Sequence, residues 1–170
     1  SSSAASDVYK RQVFFRKDQP IDFIKVGKPM TLILGNSGVR SLTKEAVAQV
    51  REMRSAKPEM TNPILEKIGG ITQDAKTFIA SGNQKEVGRL MLENHQQLRK
   101  LDLSLNILDQ MVESAIQAGA YGAKLCGSGK GGNVVALIPQ EKTDSIMKAV
   151  SRAGSKICMV STIAPTEGFT

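Results

Sequence analysis

The chain has 170 residues, enough for one domain with a core of its own. Hydrophobic residues make up 41%, Trp is absent and aromatic residues are 4%, so that core must be aliphatic. Net charge is +7 and scattered through the chain; two cysteines exclude a disulfide framework, one histidine excludes a histidine-based metal cluster, and no apolar run reaches the ~20 residues of a membrane span.

The beginning of the chain is polar and carries no apolar secretory core. With so few cysteines, the expected compartment is the reducing cytoplasm. Residues 1–12 read as a non-native leader, the translation of a sequencing adapter joined to a truncated gene. That leader is expected to be disordered and is set aside from the fold, which is expected to occupy residues 13–170.

Val13-Phe14-Phe15-Arg16 and Ile21-Asp22-Phe23-Ile24 are short strand candidates. Met30–Leu34 is a stronger one, apolar and partly β-branched, preceded by Pro29 and ended by Gly35. Asn36–Ser41 has turn chemistry. Thr43 then reads as an N-cap, with Ala46, Val47, Val50 and Met53 at helical spacing behind it. Pro58 and Pro63 bracket an expected break. A long stripe follows at Ile64, Ile68, Ile71, Ala75, Phe78 and Ile79, with Gly69-Gly70 inside it as a site of close packing or a kink. Ser81-Gly82-Asn83 ends that helix. Val87, Leu90, Met91, Leu98 and Leu101 mark the next; a further helix is expected from a Ser104 cap to Gly119.

The late elements read strand, glycine loop, strand, helix, strand: Asn133–Ile138, Glu141–Ala153 and Lys156–Ile163 follow the loop. With Met30–Leu34 they predict an α+β domain, one antiparallel sheet covered on one face by helices.

Gly127, Gly129, Gly131 and Gly132 fall within six residues, and an apolar strand follows at once. Such a loop turns several N–H groups into one concavity that suits an anion such as phosphate; a glycine-rich turn without a ligand has the same spacing. Two common phosphate loops are excluded. Lys130 is followed by Gly131 rather than Ser or Thr, and the loop enters a strand rather than a helix.

Lys124, Leu125, Gly127, Ser128, Gly129, Gly131 and Gly132 resemble the third motif of the GHMP kinase superfamily, with Cys126 where that family usually has a hydroxyl. Gly35–Glu45, Met91–Leu98 with its Glu93-Asn94-His95, and Ala118–Lys124 are similar to segments of mevalonate kinases of the bacterial and archaeal type. The likeness runs from about Phe14 to about Ile163. Ser3-Ala4-Ala5 resembles part of the superfamily's second phosphate motif but lacks its Gly-Leu-Gly and a following helix pattern.

The resemblance implies a ferredoxin-like C-terminal domain, with the tail of a preceding domain at about 13–25. It implies transfer of a phosphoryl group from ATP to mevalonate, with Mg2+ and with a catalytic aspartate supplied by an N-terminal domain absent from this chain. Lys124, Gly127, Ser128, Gly129, Gly131 and Gly132 are the implied phosphate-adjacent motif. Asn36, Arg40 and Thr43 look like a substrate-side loop, Arg40 being suited to a carboxylate. No catalytic residue and no metal ligand is expected within the chain. A homodimer is compatible with the family; nucleic acid and membrane are not expected partners. Two other readings share the loop: another small-molecule kinase of the superfamily, acting on homoserine or phosphomevalonate, and a stand-alone ferredoxin-like binding module. The latter lacks the strand aromatics on which RNA bases would stack.

Overall fold

Met30–Asn36 (β3) is the strand onto which the sheet is built. In the computed structural model, which describes residues 12–165, it pairs antiparallel on both sides, with Asn133–Ile138 (β5) and with Ile157–Ile163 (β6). Gly122–Cys126 (β4) adds to the free side of β5, giving the order β4-β5-β3-β6. Between β3 and β4 run four helices: α1 (Thr43–Ala56), α2 (Pro58–Ser81), α3 (Gln84–Lys100) and α4 (Asn106–Gln117). Between β5 and β6 lie a 3-10 turn (Gln140–Lys142) and α5 (Thr143–Arg152). This β-α-β-β-α-β path with an antiparallel sheet is the ferredoxin-like arrangement expected from the sequence, with extra helices in its first crossover. Gln12–Phe14 (β1) and Asp22–Ile24 (β2) make a separate antiparallel ribbon, tied to α2 by the Asp22–Lys76 ion pair. The leader reading falls mainly on residues 1–11, outside the described residues.

The register decides which side chains meet. Ile33 stands opposite Ala136 on one side and Val160 on the other, and Ala136 stands opposite Ala123. Because strand side chains alternate, Ile33, Ala136, Ala123, Val134 and Leu125 share one face. That face packs on Leu108, Met111, Val112 and Ala115 of α4 and on Ile146 and Val150 of α5. Gly35 lies where the helices come closest. A Cβ there would stand 2.8 Å from Val150 Cγ1 and 2.9 Å from Met111 Cε. The opposite face is covered at one end, where Met30 and Leu137 meet Phe78, Ile79 and Val87. Farther along, Ile157 and Met159 are exposed.

Helix α3 covers the sheet's β4 edge, an arrangement that keeps an edge strand from pairing elsewhere. The contact is made backbone to backbone at two glycines. A Cβ on Gly88 would lie 2.3 Å from the Tyr121 carbonyl, and one on Gly122 would lie 2.0 Å from the Gly88 carbonyl. A third cluster, Ala46, Leu101 and Leu103 with Val50, Leu65 and Ile68, joins α1 and α2 to the turn between α3 and α4. No helix among the described residues is long and apolar enough to cross a membrane.

Three local expectations are corrected. The break around the two prolines is confined to Lys57, because Pro58 opens α2, where a missing N–H costs nothing, and Pro63 is accommodated in its second turn. Neither Thr43 nor Ser104 caps a helix with its side chain. The N-cap residues are Leu42 and Leu105; the Thr43 hydroxyl is engaged with distant Ser128 and the Ser104 hydroxyl with the side chain of Asp109 in the first turn of α4. Gly69-Gly70 is not a packing contact: both residues are exposed, and a Cβ on either would meet nothing within 4 Å. Gly69→Ala and Gly70→Ala are therefore each expected to raise stability by roughly 0.5–1 kcal/mol, through helix propensity and loss of unfolded-state freedom. Urea unfolding of the single variants measures this; a loss of stability would show that the glycines have a contact the fold does not display.

Candidate functional site at the glycine loop

The β4–β5 connection, residues 127–132, is held between two walls. The first is the segment after β3. Ser37 N–H and Ser37 Oγ both donate to the Gly132 carbonyl, at 2.9 and 2.8 Å, and Gly132 N–H donates to the Val39 carbonyl at 2.9 Å. Ser41 Oγ donates to the Gly129 carbonyl at 2.5 Å and lies 2.8 Å from Ser128 Oγ. Thr43 Oγ1 donates to Ser128 Oγ at 3.2 Å. At the base of this wall Asn36 Nδ2 donates to Asn133 Oδ1 at 2.7 Å. The second wall is the turn between α3 and α4. Lys130 N–H donates to the Leu103 carbonyl at 2.7 Å, and Lys130 Nζ pairs with Asp102 at 2.6 Å.

This double contact explains the glycines better than turn chemistry does. Gly129 has φ +84°, and a Cβ there would be 2.3 Å from the Leu103 carbonyl oxygen. Gly131 has φ +130°, and its Cβ would be 2.7 Å from the Val39 carbonyl oxygen. Both walls thus reach the loop's backbone at glycine. Among the described residues, the N–H groups of Ser128, Gly129 and Gly131 donate to no protein acceptor. An anion is the kind of group that such free, clustered N–H donors bind. A cavity of about 360 Å3 adjoins the loop between α1 and α2; Ala46, Val50, Leu65 and Leu103 line it together with Arg51, Arg54 and Ser128.

Of the site residues expected from the sequence, Asn36, Thr43, Ser128, Gly129 and Gly132 come together here through hydrogen bonds, with Gly131 packed against Val39. Gly127 begins the loop at φ +96°, with open space around it. Arg40 is exposed and forms no ion pair among the described residues. Lys124 is on the other face of the sheet. It pairs with Val135, one residue out of phase with core-facing Ala123 and Leu125. Burial pushes its amine below the ordinary lysine range, and Cys126 acts in the opposite sense.

Sequence reasoning missed Ser37, Ser41, Asp102 and Leu103, which make the walls. The two serines flank Arg40 in a segment already singled out; nothing local marks Asp102 and Leu103, apart from their place between two helical stripes.

Behind the second wall lies a buried polar group. His95 is 4% exposed. Its Nδ1 accepts from the Leu125 N–H at 3.2 Å, and its Nε2 lies 3.0 Å from Asp109 Oδ1. Asp109 Oδ1 also accepts from Ser104 Oγ at 2.7 Å, and Arg99 Nε is 3.1 Å from Asp109 Oδ2. Burial lowers the proton affinity of the imidazole below its ordinary range. Asp109 opposes that shift, while Arg99 and Lys124 add to it.

Two alanine substitutions separate backbone conformation from close approach. Gly132→Ala meets only Ser41 Cβ, at 3.7 Å, so it is expected to cost the left-handed penalty alone, about 1–2 kcal/mol. Gly129→Ala adds a collision with the Leu103 carbonyl and should cost clearly more, on the order of 3 kcal/mol or above. Chemical denaturation of both variants checks the order; equal costs would mean that the Leu103 contact gives way freely.

Comparison with known proteins agrees with this geometry. The family described as GHMP kinases C terminal matches residues 75–156, a span that holds α3, α4, α5, β4, β5 and the glycine loop. A mevalonate kinase of Thermococcus gammatolerans is 36% identical over 143 residues, which are 81% of this chain and 41% of that relative. The structure of L. major mevalonate kinase in complex with R-mevalonate superposes with a TM-score of 0.84 at 26% identity, over 90% of this chain and 48% of that one. The Methanococcus jannaschii mevalonate kinase gives a TM-score of 0.67 at 27% identity, over 87% of this chain and 45% of that one. The chain thus spans about two-fifths of the length of the curated relatives it matches. On the family match, the fold and these relatives together, residues 75–156 of the chain belong to the family of the GHMP kinases' C-terminal domain.

Proposed function

We propose that this chain is the C-terminal portion of an ATP-dependent mevalonate kinase, a cytoplasmic enzyme that converts mevalonate to 5-phosphomevalonate. The glycine loop is the part of its active-site wall that this chain supplies. The observation that carries the reading is the set of free N–H groups at Ser128, Gly129 and Gly131, fixed between two walls in a chain 36% identical to a mevalonate kinase. Phosphoryl transfer depends on positioned phosphates and on donors aimed at the charge on the transferring group. The loop's N–H groups are fitted to that task. Ser41, Thr43 and Ser128 place three hydroxyls beside them, and exposed Arg40 on the same segment offers a guanidinium to the substrate carboxylate.

The residues present do not fit a magnesium site. Among the described residues no group of three or more His, Cys, Asp or Glu side chains could hold a metal ion, and Asp102, the carboxylate bound to the loop, is paired with Lys130. In this reading Mg2+, the main ATP phosphate loop and the catalytic aspartate belong to an N-terminal domain, of which residues 13–25 are the tail. The hydroxyl-lined wall favours mevalonate over the superfamily's other acceptors only through the likeness of Gly35–Glu45 in this chain to mevalonate kinases.

The purified 170-residue chain is expected to show no ADP release with ATP and mevalonate; turnover would refute the assignment of the catalytic groups elsewhere. In the intact enzyme, Gly132→Val puts a branched side chain, its Cβ 3.7 Å from Ser41 Cβ, at a left-handed backbone position. It is expected to lower kcat/KM for mevalonate phosphorylation at least tenfold, since displacing reacting groups by about 1 Å can cost ~100-fold. A folded variant with unchanged kinetics would return the loop to a plain turn.

A further inference from the structure

We infer that His95 is a positioning residue for the glycine loop: its neutral ring, protonated on Nε2 alone, ties both shoulders of the loop to one buried imidazole–carboxylate pair. This inference rests on the loop's being part of the active-site wall. His95 has no hydrogen bond to a loop residue among the described residues, so its effect passes through others.

The ring's two nitrogens are both assigned. Nδ1 receives the Leu125 N–H, so it carries no proton. The proton is then on Nε2, which donates to Asp109 Oδ1. From Asp109 the path continues through Ser104 Oγ to the turn that contains Leu103. The Leu103 carbonyl accepts the Lys130 N–H and fills the space beside Gly129. Leu125 is two residues before the loop and Lys130 is inside it. The path therefore leaves the polypeptide at one end of the loop and returns to it near the other. A rigid ring with an acceptor on one side and a donor on the other closes this circuit.

An imidazolium would have no acceptor for the Leu125 N–H. The groups facing the ring are Asp109 on α4, Arg99 on its own helix and Lys124 on β4. Burial outweighs Asp109 and keeps the ring neutral. The stability it contributes is fully present above the unfolded value of 6.5 and is lost as pH falls through the lowered folded value.

The test begins with the unmodified, 15N-labelled chain, in which long-range proton–nitrogen correlation reports the His95 tautomer. The expected signature at pH 7 is a bare Nδ1 and a protonated Nε2. A proton on Nδ1, or a charged ring, would overturn the inference. Amide exchange then follows the two arms of the circuit. In His95→Gln, the Leu125 and Lys130 amides should exchange at least tenfold faster, while the Gly132 amide, bound to Val39 on the opposite wall, keeps its rate. Should that variant not fold, Ser104→Ala, which removes one partly buried hydroxyl, should accelerate Lys130 and leave Leu125 unchanged. Uniform acceleration that includes Ile33 and Ala136 would show a merely structural role and overturn the inference, as would unchanged Lys130 exchange. The same Ser104→Ala in the intact enzyme should lower kcat at least threefold with a smaller change in KM. Faster Lys130 exchange with kcat unaltered would overturn the reading of the loop as active-site wall and leave the bracing by His95 standing.

Discussion

The Leu103 carbonyl oxygen occupies the position that a side chain at residue 129 would need. It accepts the Lys130 N–H at 2.7 Å and stands 2.3 Å from where a Cβ on Gly129 would be. Much of the site follows from this one close approach. It requires glycine at 129, and the Lys130–Asp102 ion pair supports it from outside. It turns the loop's carbonyls toward the serines of the other wall, where Ser41 and Ser37 receive them. The N–H groups left over at Ser128, Gly129 and Gly131 then have no acceptor among the described residues, which is the condition for binding an anion. A turn built only to reverse the chain would not need backbone contacts from two separate segments.

The domain brings those segments together because of its helical crossover. The residues of the first wall directly follow β3, and those of the second close α3. Both can reach the β4–β5 loop only if β3 and β4 flank β5 and α3 runs along the β4 edge. Gly88 and Gly122 make that last contact possible by letting helix and strand backbones touch. The turn at Leu103 is in turn seated on Ala46 and Leu101 by the third apolar cluster. Sheet register, helix docking and loop geometry are thus one chain of dependence rather than separate features.

Much of this was readable in the sequence because local patterns encode it. Apolar, partly β-branched runs locate β3 and β5, helical spacing locates the α-helices, and the order of late elements gives the antiparallel sheet with one helical face. The glycine loop stands out by composition. What was hidden lies in contacts between residues far apart in sequence. Thr43 has the chemistry of a helix cap, yet Ser128, far along the chain, claims its hydroxyl. Lys124 belongs to the motif by position and faces away by strand alternation. Gly69-Gly70 looks like a packing device and meets open space, whereas Gly88, unremarked in its helix, is pressed against Tyr121. His95 stands out in the sequence only through the likeness of Glu93-Asn94-His95 to a family motif; the fold shows the Leu125 N–H and Asp109 on its two nitrogens.

The most direct measurement of the account is hydrogen exchange across residues 127–132 in the intact enzyme, with and without saturating mevalonate and a non-hydrolysable ATP analogue. If the loop forms the phosphate-side wall, the amides of Ser128, Gly129 and Gly131, free in this structure, become protected when both ligands are bound. Unchanged exchange at these three amides, with ligand saturation established by calorimetry, would contradict it.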